Sequence, residues 1–174
     1  ATRAIFWRNC APLKAGDRLV QKDLASSLKL IALQGADAFY RGPIGKKIVA
    51  DSQAHRGLIT AADLQGYKPV ERKPVRGSYR QYEIVTMPPP SSGGIHLLQI
   101  LNIMEGWPIG NWGQNSAQTV HHMAEAMKLA YADRAEYLGD PDYVKIPQTG
   151  LVSRKYAALL RSQIDPAHAK PAKD

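Results

Sequence analysis

Leu24, Leu28 and Ile31 recur at helical spacing, and Gly35 follows as a residue suited to a helix end, so the first clear element is an amphipathic helix. Residues 1–20 read as irregular, with a turn at Gly16-Asp17. Ala36 to Tyr40 predicts a short helical turn. Pro43 fits a first helical turn, with Ile44 and Ile48 on one face and an end near Gly57. Thr60-Ala-Ala-Asp63 has the form of a capping box before another short helix. The texture then changes. Val75, Tyr79, Tyr82, Ile84 and Val85 predict two extended strands within Val70 to Val85, with Gly77-Ser78 between them. Pro69 and Pro74 point to edge positions. The apolar run Ile95 to Met104 predicts a helix, and residues 106–115 a loop rich in Gly and Trp. The longest helix runs from a Ser116 cap to Leu138, with Val120, Met123, Met127, Ala130 and Arg134 on its period. Gly139-Asp140-Pro141 stops it. Ser153 caps a last helix through Ile164, stopped by Asp165-Pro166, and the polar tail Ala167 to Asp174 reads as frayed. The fold class is α+β, mainly helical with a short strand pair.

Composition adds limits. With 174 residues and 44% hydrophobic content, the chain suits one compact domain, read as a single segment 1–174. No segment approaches the ~18–20 apolar residues that span a bilayer, and no signal-peptide core opens the chain. The first residue reads as a cut end. Lys and Arg number 23 against 15 Asp and Glu, a net charge of +8. The basic residues are dispersed, and their densest spots are Lys46-Lys47 and Arg72, Lys73, Arg76 and Arg80. No alternation of basic and aromatic residues marks a nucleic-acid surface. An acidic partner packed against this chain accounts for the charge equally well. Cys10 stands alone, so it forms neither an internal disulfide nor a metal site of its own.

The candidate chemistry lies in Pro88, Pro89, Pro90, Ser91, Ser92, Gly93 and Gly94. Each proline pushes the residue before it toward extended geometry, so a strand ending at Met87 is delivered into a stiff arm. Ser91 and Ser92 are helix-capping types, and Gly93 and Gly94 permit close approach of another backbone. Free amide N–H groups and two hydroxyls at a helix N-terminus can hold an anion, but the first reading of the segment is a structural corner. Neither serine sits in Gly-x-Ser-x-Gly.

The segment Met87-Pro-Pro-Pro-Ser-Ser-Gly-Gly-Ile-His96 resembles the corresponding stretch of gamma-glutamyltranspeptidases, also called glutathione hydrolases. Gly57-Leu-Ile-Thr-Ala-Ala-Asp-Leu64, Asp37-Ala-Phe-Tyr40 with Gly42, and Ala130-Tyr-Ala-Asp-Arg134 with Tyr137-Leu-Gly-Asp-Pro141 resemble further family segments in the right order. The likeness covers roughly residues 4–170. It implies part of a four-layer αββα sandwich of the N-terminal nucleophile hydrolase type. It also implies a precursor that cleaves itself into a large and a small subunit. The small subunit's new N-terminal Thr is then the nucleophile, with its α-amine as base. The reaction implied is cleavage of the gamma-glutamyl bond of glutathione and transfer to water or an amino acid, without a cofactor. A periplasmic or secreted location is implied as well.

The threonines here are Thr2, Thr60, Thr86, Thr119 and Thr149, and none begins the family's nucleophile motif. By the resemblance, this chain is the C-terminal part of the large subunit, and its partners are the rest of that subunit and the small subunit. The family's substrate-gripping Arg then lies in a stretch this chain does not contain. Alone, the chain is expected to be inactive. Alternatives are a cephalosporin or glutaryl acylase of the same fold, and a stand-alone basic binding or scaffold module.

Other candidates read as structural. Adjacent His121 and His122 diverge on a helix, and no third metal ligand stands at suitable spacing. His96 follows the loop closely, where it packs, caps or assists an anion site. Asp133 and Arg134 are expected to form an ion pair that fixes the long helix against the loop. Glu125 and Asp133 do not face one another as an acid and base. Trp107 and Trp112 read as core anchors.

Overall fold

The computed structural model describes residues 2–171. Where length alone allows one compact domain, the chain divides into two units, Ala1–Val70 and Glu71–Asp174.

In the first unit the punctuation residues act where the sequence places them. Helix α2, Lys22–Gln34, ends at Gly35, whose N–H still donates to the Ile31 carbonyl at 2.8 Å and whose φ of 65° then turns the chain out of the helix. Helix α3, Asp37–Tyr40, leads to α4, Pro43–Ala54, which carries its proline in the first turn. Gly45 of α4 is buried so tightly that a Cβ there would strike the Phe39 carbonyl. Helix α5, Ala61–Gly66, has a full capping box. The Asp63 N–H donates to Thr60 Oγ1 at 3.2 Å, and the Thr60 N–H donates to Asp63 Oδ2 at 2.8 Å. Residues 2–20 are more ordered than expected. They form a helical turn α1, Thr2–Phe6, and a minimal hairpin of β1, Trp7–Arg8, and β2, Ala11–Pro12. Asn9 and Cys10 close that hairpin with φ of 51° and 61°, a tight turn that suits Asn9 but that Cys10 does not announce.

The second unit begins with an antiparallel pair, β3, Val75–Tyr79, and β4, Tyr82–Thr86. The turn falls at Arg80-Gln81, with Arg80 at φ 54°, and not at Gly77-Ser78 as the sequence reading has it. Gly77 sits inside β3, where a Cβ would lie 2.7 Å from Leu98 Cδ2. The glycine serves close packing of strand on helix instead of chain reversal. Helix α6, Gly93–Met104, is the most buried element; Ile95, Leu98 and Ile103 are fully enclosed. Burying each such side chain contributes about 1.5–3 kcal/mol.

After α6 a 3₁₀ turn, Ile109–Asn111, leads to α7, Ala117–Tyr137, capped by the Ser116 hydroxyl accepting from the Thr119 N–H at 3.2 Å. Two shorter helices follow, α8, Gln148–Leu151, and α9, Arg154–Arg161. The core joins Ile103 and Met104 of α6, Ala126 of α7, Ala157 and Leu160 of α9, and Ile164. The face of α7 that meets it carries His122, Glu125, Ala126 and Ala130. Of the periodic set read from sequence only Ala130 is buried; Val120, Met123 and Met127 are exposed. The tail is tethered as far as Lys170, whose carbonyl accepts from Lys128 Nζ, while residues 172–174 and Ala1 lie outside the described residues. The architecture is α+β and mainly helical, with two antiparallel strand pairs instead of one.

Candidate functional site

Strand β4 ends at Thr86 and α6 begins at Gly93, so the proline-serine segment is a strand-to-helix joint. Pro89 is buried, Pro88, Ser91 and Ser92 are half-buried, and Pro90 and Gly93 are exposed. The Ser91 N–H donates to the Pro88 carbonyl at 3.2 Å, which closes a turn over the prolines. The Pro89–Pro90 peptide is cis. The two glycines differ in role. Gly94 is buried with the Met87 carbonyl where a Cβ would stand, so no side chain fits. At Gly93 an added Cβ meets only Ser91 Oγ, at an ordinary 3.7 Å.

Ser92 does not cap α6 through its side chain. It already has helical angles, φ −76° and ψ −22°, so its hydroxyl is not aimed at the first-turn amides as an extended cap residue's would be. That hydroxyl instead accepts from Arg134 Nε at 3.2 Å, which ties the joint to α7.

The expected ion pair between Asp133 and Arg134 does not form among the described residues. Neighbours on a helix point about 100° apart, and each finds a different partner. Asp133 accepts from Gln99 Nε2 of α6 and from Tyr156 Oη of α9, the latter at 3.0 Å. Burial, reinforced by the Asp133 carboxylate, pushes the Tyr156 phenol up to about 12. Asp133 therefore knits α6, α7 and α9 together, while Arg134 reaches back to the joint.

His96, in the first turn of α6, is 7% exposed and stacks on Tyr131 at 5.2 Å with rings 10° from parallel. Its Nε2 is buried and has no hydrogen-bond partner among the described residues. Burial lowers its pKa and the nearby Arg134 charge lowers it further, which favours the neutral ring. Glu105, at the end of α6, accepts from the Arg80 N–H at 2.5 Å and pairs with Arg154. Burial opposes its charge, but these contacts outweigh burial and hold its pKa below the usual value.

His122 is enclosed by Trp107 and Trp112, with centroids at 4.6 and 4.7 Å, while His121 Nε2 meets the Asp165 carbonyl at 2.7 Å. The pair is split between two environments, and no cluster of metal-ligating side chains occurs among the described residues. Cys10 is free and exposed. No described helix is long and apolar enough to cross a membrane. Gln99 and Tyr156 escaped sequence reasoning: the first hides in an apolar run and the second carries no motif.

No hydrogen bond among the described residues links the Ser91 or Ser92 hydroxyl to a histidine or a carboxylate, so neither has a base in place. An open groove of about 550 Å³, lined by Tyr137, Pro147, Leu151, Tyr156 and Leu159 among others, does not include residues 88–94. The joint can brace a wall; it does not hold an assembled nucleophile and base.

Comparison with known proteins gives this architecture its relatives. The family model described as Gamma-glutamyltranspeptidase matches residues 1–174. The glutathione hydrolase proenzyme of Escherichia coli (strain K12) is 52% identical over 173 residues, covering 99% of this chain and 30% of that protein. The Acylase ACY 1 proenzyme of Pseudomonas sp. (strain SE83) is 50% identical over 159 residues, covering 91% of this chain and 28% of that protein. The crystal structure of Helicobacter pylori gamma-glutamyltranspeptidase superposes with a TM-score of 0.84 at 42% identity, covering 98% of this chain and 49% of that one. The chain thus spans about 30% of the length of the curated proenzymes it matches. On these grounds the chain belongs to the gamma-glutamyltranspeptidase family.

Proposed function

We propose that this chain is a scaffold segment of an enzyme that cleaves gamma-glutamyl bonds, as in glutathione, with its nucleophile outside residues 1–174. The observation that carries the reading is the 52% identity to a glutathione hydrolase proenzyme across nearly the whole chain. The joint is consistent with it, since neither loop hydroxyl has a base. In this reading a Thr hydroxyl elsewhere in the protein attacks the gamma-carbonyl and the C–N bond breaks. The amine leaves with a proton, and water or an amino acid then takes the glutamyl group from the ester. The residues described here hold layers in place: Asp133 joins three helices, and Arg134 anchors the joint. The partners are the remainder of the large subunit and a small subunit bearing the Thr, in a periplasmic or secreted enzyme.

A second reading is supported by the 50% identity to an acylase proenzyme. There the same scaffold serves hydrolysis of a different amide. Turnover of a gamma-glutamyl anilide by the intact protein, beside a glutaryl amide of a cephalosporin nucleus, separates the two. The leading reading expects preference for the gamma-glutamyl compound. Preference for the glutaryl compound would replace it with the acylase reading, and turnover of neither would remove both.

A further inference from the structure

Helix α7 has one face that this chain covers and an apolar stripe that it leaves open. His122, Glu125, Ala126 and Ala130 are buried on the first. On the opposite side stand Val120, Met123, Met127 and Tyr131, spaced by three, four and four residues, which keeps them in one stripe at about 100° per residue. They are 54%, 43%, 40% and 54% exposed. A surface helix of a finished globular protein turns polar residues outward, so an open apolar stripe belongs against further polypeptide in a layered structure. The stripe contains no charge until Arg134 at its end, whose Nε is committed to Ser92 and whose other N–H groups have no acceptor among the described residues. Tyr131, at the far end of the stripe, stacks on buried His96, which fixes its ring.

We propose that this second face of α7 is an internal interface, covered by the part of the proenzyme outside this chain, which lays an apolar segment along Val120, Met123, Met127 and Tyr131 and sets a carboxylate against Arg134. Two observations select this occupant. The chain spans about 30% of its relatives' length, so ample polypeptide exists to cover the stripe. The net charge of +8, and the single positive group on the stripe, favour an acidic complement. Two methionines suit such a contact because their flexible thioethers fill an irregular surface. The inference rests on the functional reading above.

The test uses the whole, unaltered protein. Peroxide converts accessible methionine to the sulfoxide, and peptide mass spectrometry reads Met123 and Met127 separately from the rest. Covered side chains oxidise at least about tenfold more slowly in the native protein than in urea, because reagent access is removed on burial. Rates within about twofold of the unfolded protein would overturn the interface. Protection that vanishes on dilution while the processed subunits stay together on size-exclusion chromatography would also overturn it, by assigning the cover to a second copy. An Arg134→Glu variant is expected to raise both rates several-fold, while Arg134→Lys, which keeps the positive charge, leaves them near those of the parent; unchanged protection in Arg134→Glu, or an equal rise in both variants, would overturn the carboxylate. Turnover by the same unaltered sample, measured in parallel, separates failures. Turnover with freely oxidising methionines removes the interface alone, and absence of turnover removes the functional reading.

Discussion

Tyr156 Oη donates to Asp133 Oδ1 at 3.0 Å, and through that contact the last helix is fastened to the longest one. The same carboxylate accepts from Gln99 of α6, so three helices meet at one side chain. A half-buried acceptor left without one of its donors is costly, and the geometry gives a direct expectation. Tyr156→Phe should destabilise the intact protein by about 0.5–1.5 kcal/mol, the usual net value of a hydrogen bond. Chemical denaturation followed by α-helical circular dichroism measures it.

The pH dependence of that contact has a definite sign. The Tyr156 phenol is raised from its ordinary value near 10 to about 12 in the fold. A raised folded pKa means stability that is fully present below the unfolded value and lost as pH climbs through the folded one. The contribution should therefore persist to about pH 10 and disappear between about 10 and 12. Subtracting the phenolate absorbance titration of Tyr156→Phe from that of the parent should leave one transition centred near pH 12. A transition near 10 would show that the phenol is not held as described.

The local signals were legible because each depends on a few neighbouring residues. Gly35 ends α2, Pro43 opens α4, Thr60 and Asp63 cap α5, and Ser116 and Ser153 cap α7 and α9. What failed was decided at long range. Gly77 looks like a turn glycine until Leu98, far along the chain, is seen to occupy its side-chain space. Asp133 and Arg134 look like a pair until α6 and α9 supply Asp133 with other partners. The stripe Val120, Met123 and Met127 has helical period, but periodicity alone does not say which face of the helix this chain covers. The joint was legible as a stiff corner, while the Ser92 partner was not, because Arg134 lies on another helix.

The two loop glycines should part company under the same substitution. Gly94→Ala places a methyl group against the Met87 carbonyl, a backbone atom that cannot swing aside. A cost of roughly 1–3 kcal/mol is expected for such overpacking. Gly93→Ala meets nothing closer than Ser91 Oγ at 3.7 Å and gains helix propensity, so it should be neutral or stabilising by up to about 1 kcal/mol. Thermal unfolding of both variants measures the difference; equal effects would contradict the packing described at Gly94.

Ser92 offers a test of its partner. If its hydroxyl serves Arg134, a double-mutant cycle of Ser92→Ala and Arg134→Ala should show a coupling of about 0.5–1.5 kcal/mol. A hydroxyl that only capped α6 would give independent, additive effects.

The central claim is that the nucleophile lies outside these residues. A slowly turned-over gamma-glutamyl anilide, quenched in acid during the burst, leaves the glutamyl ester on the enzyme, and peptide mapping locates it. The ester is expected on a Thr beyond residues 1–174 and on no residue within them. An ester on Ser91, Ser92 or any of Thr2, Thr60, Thr86, Thr119 and Thr149 would contradict it.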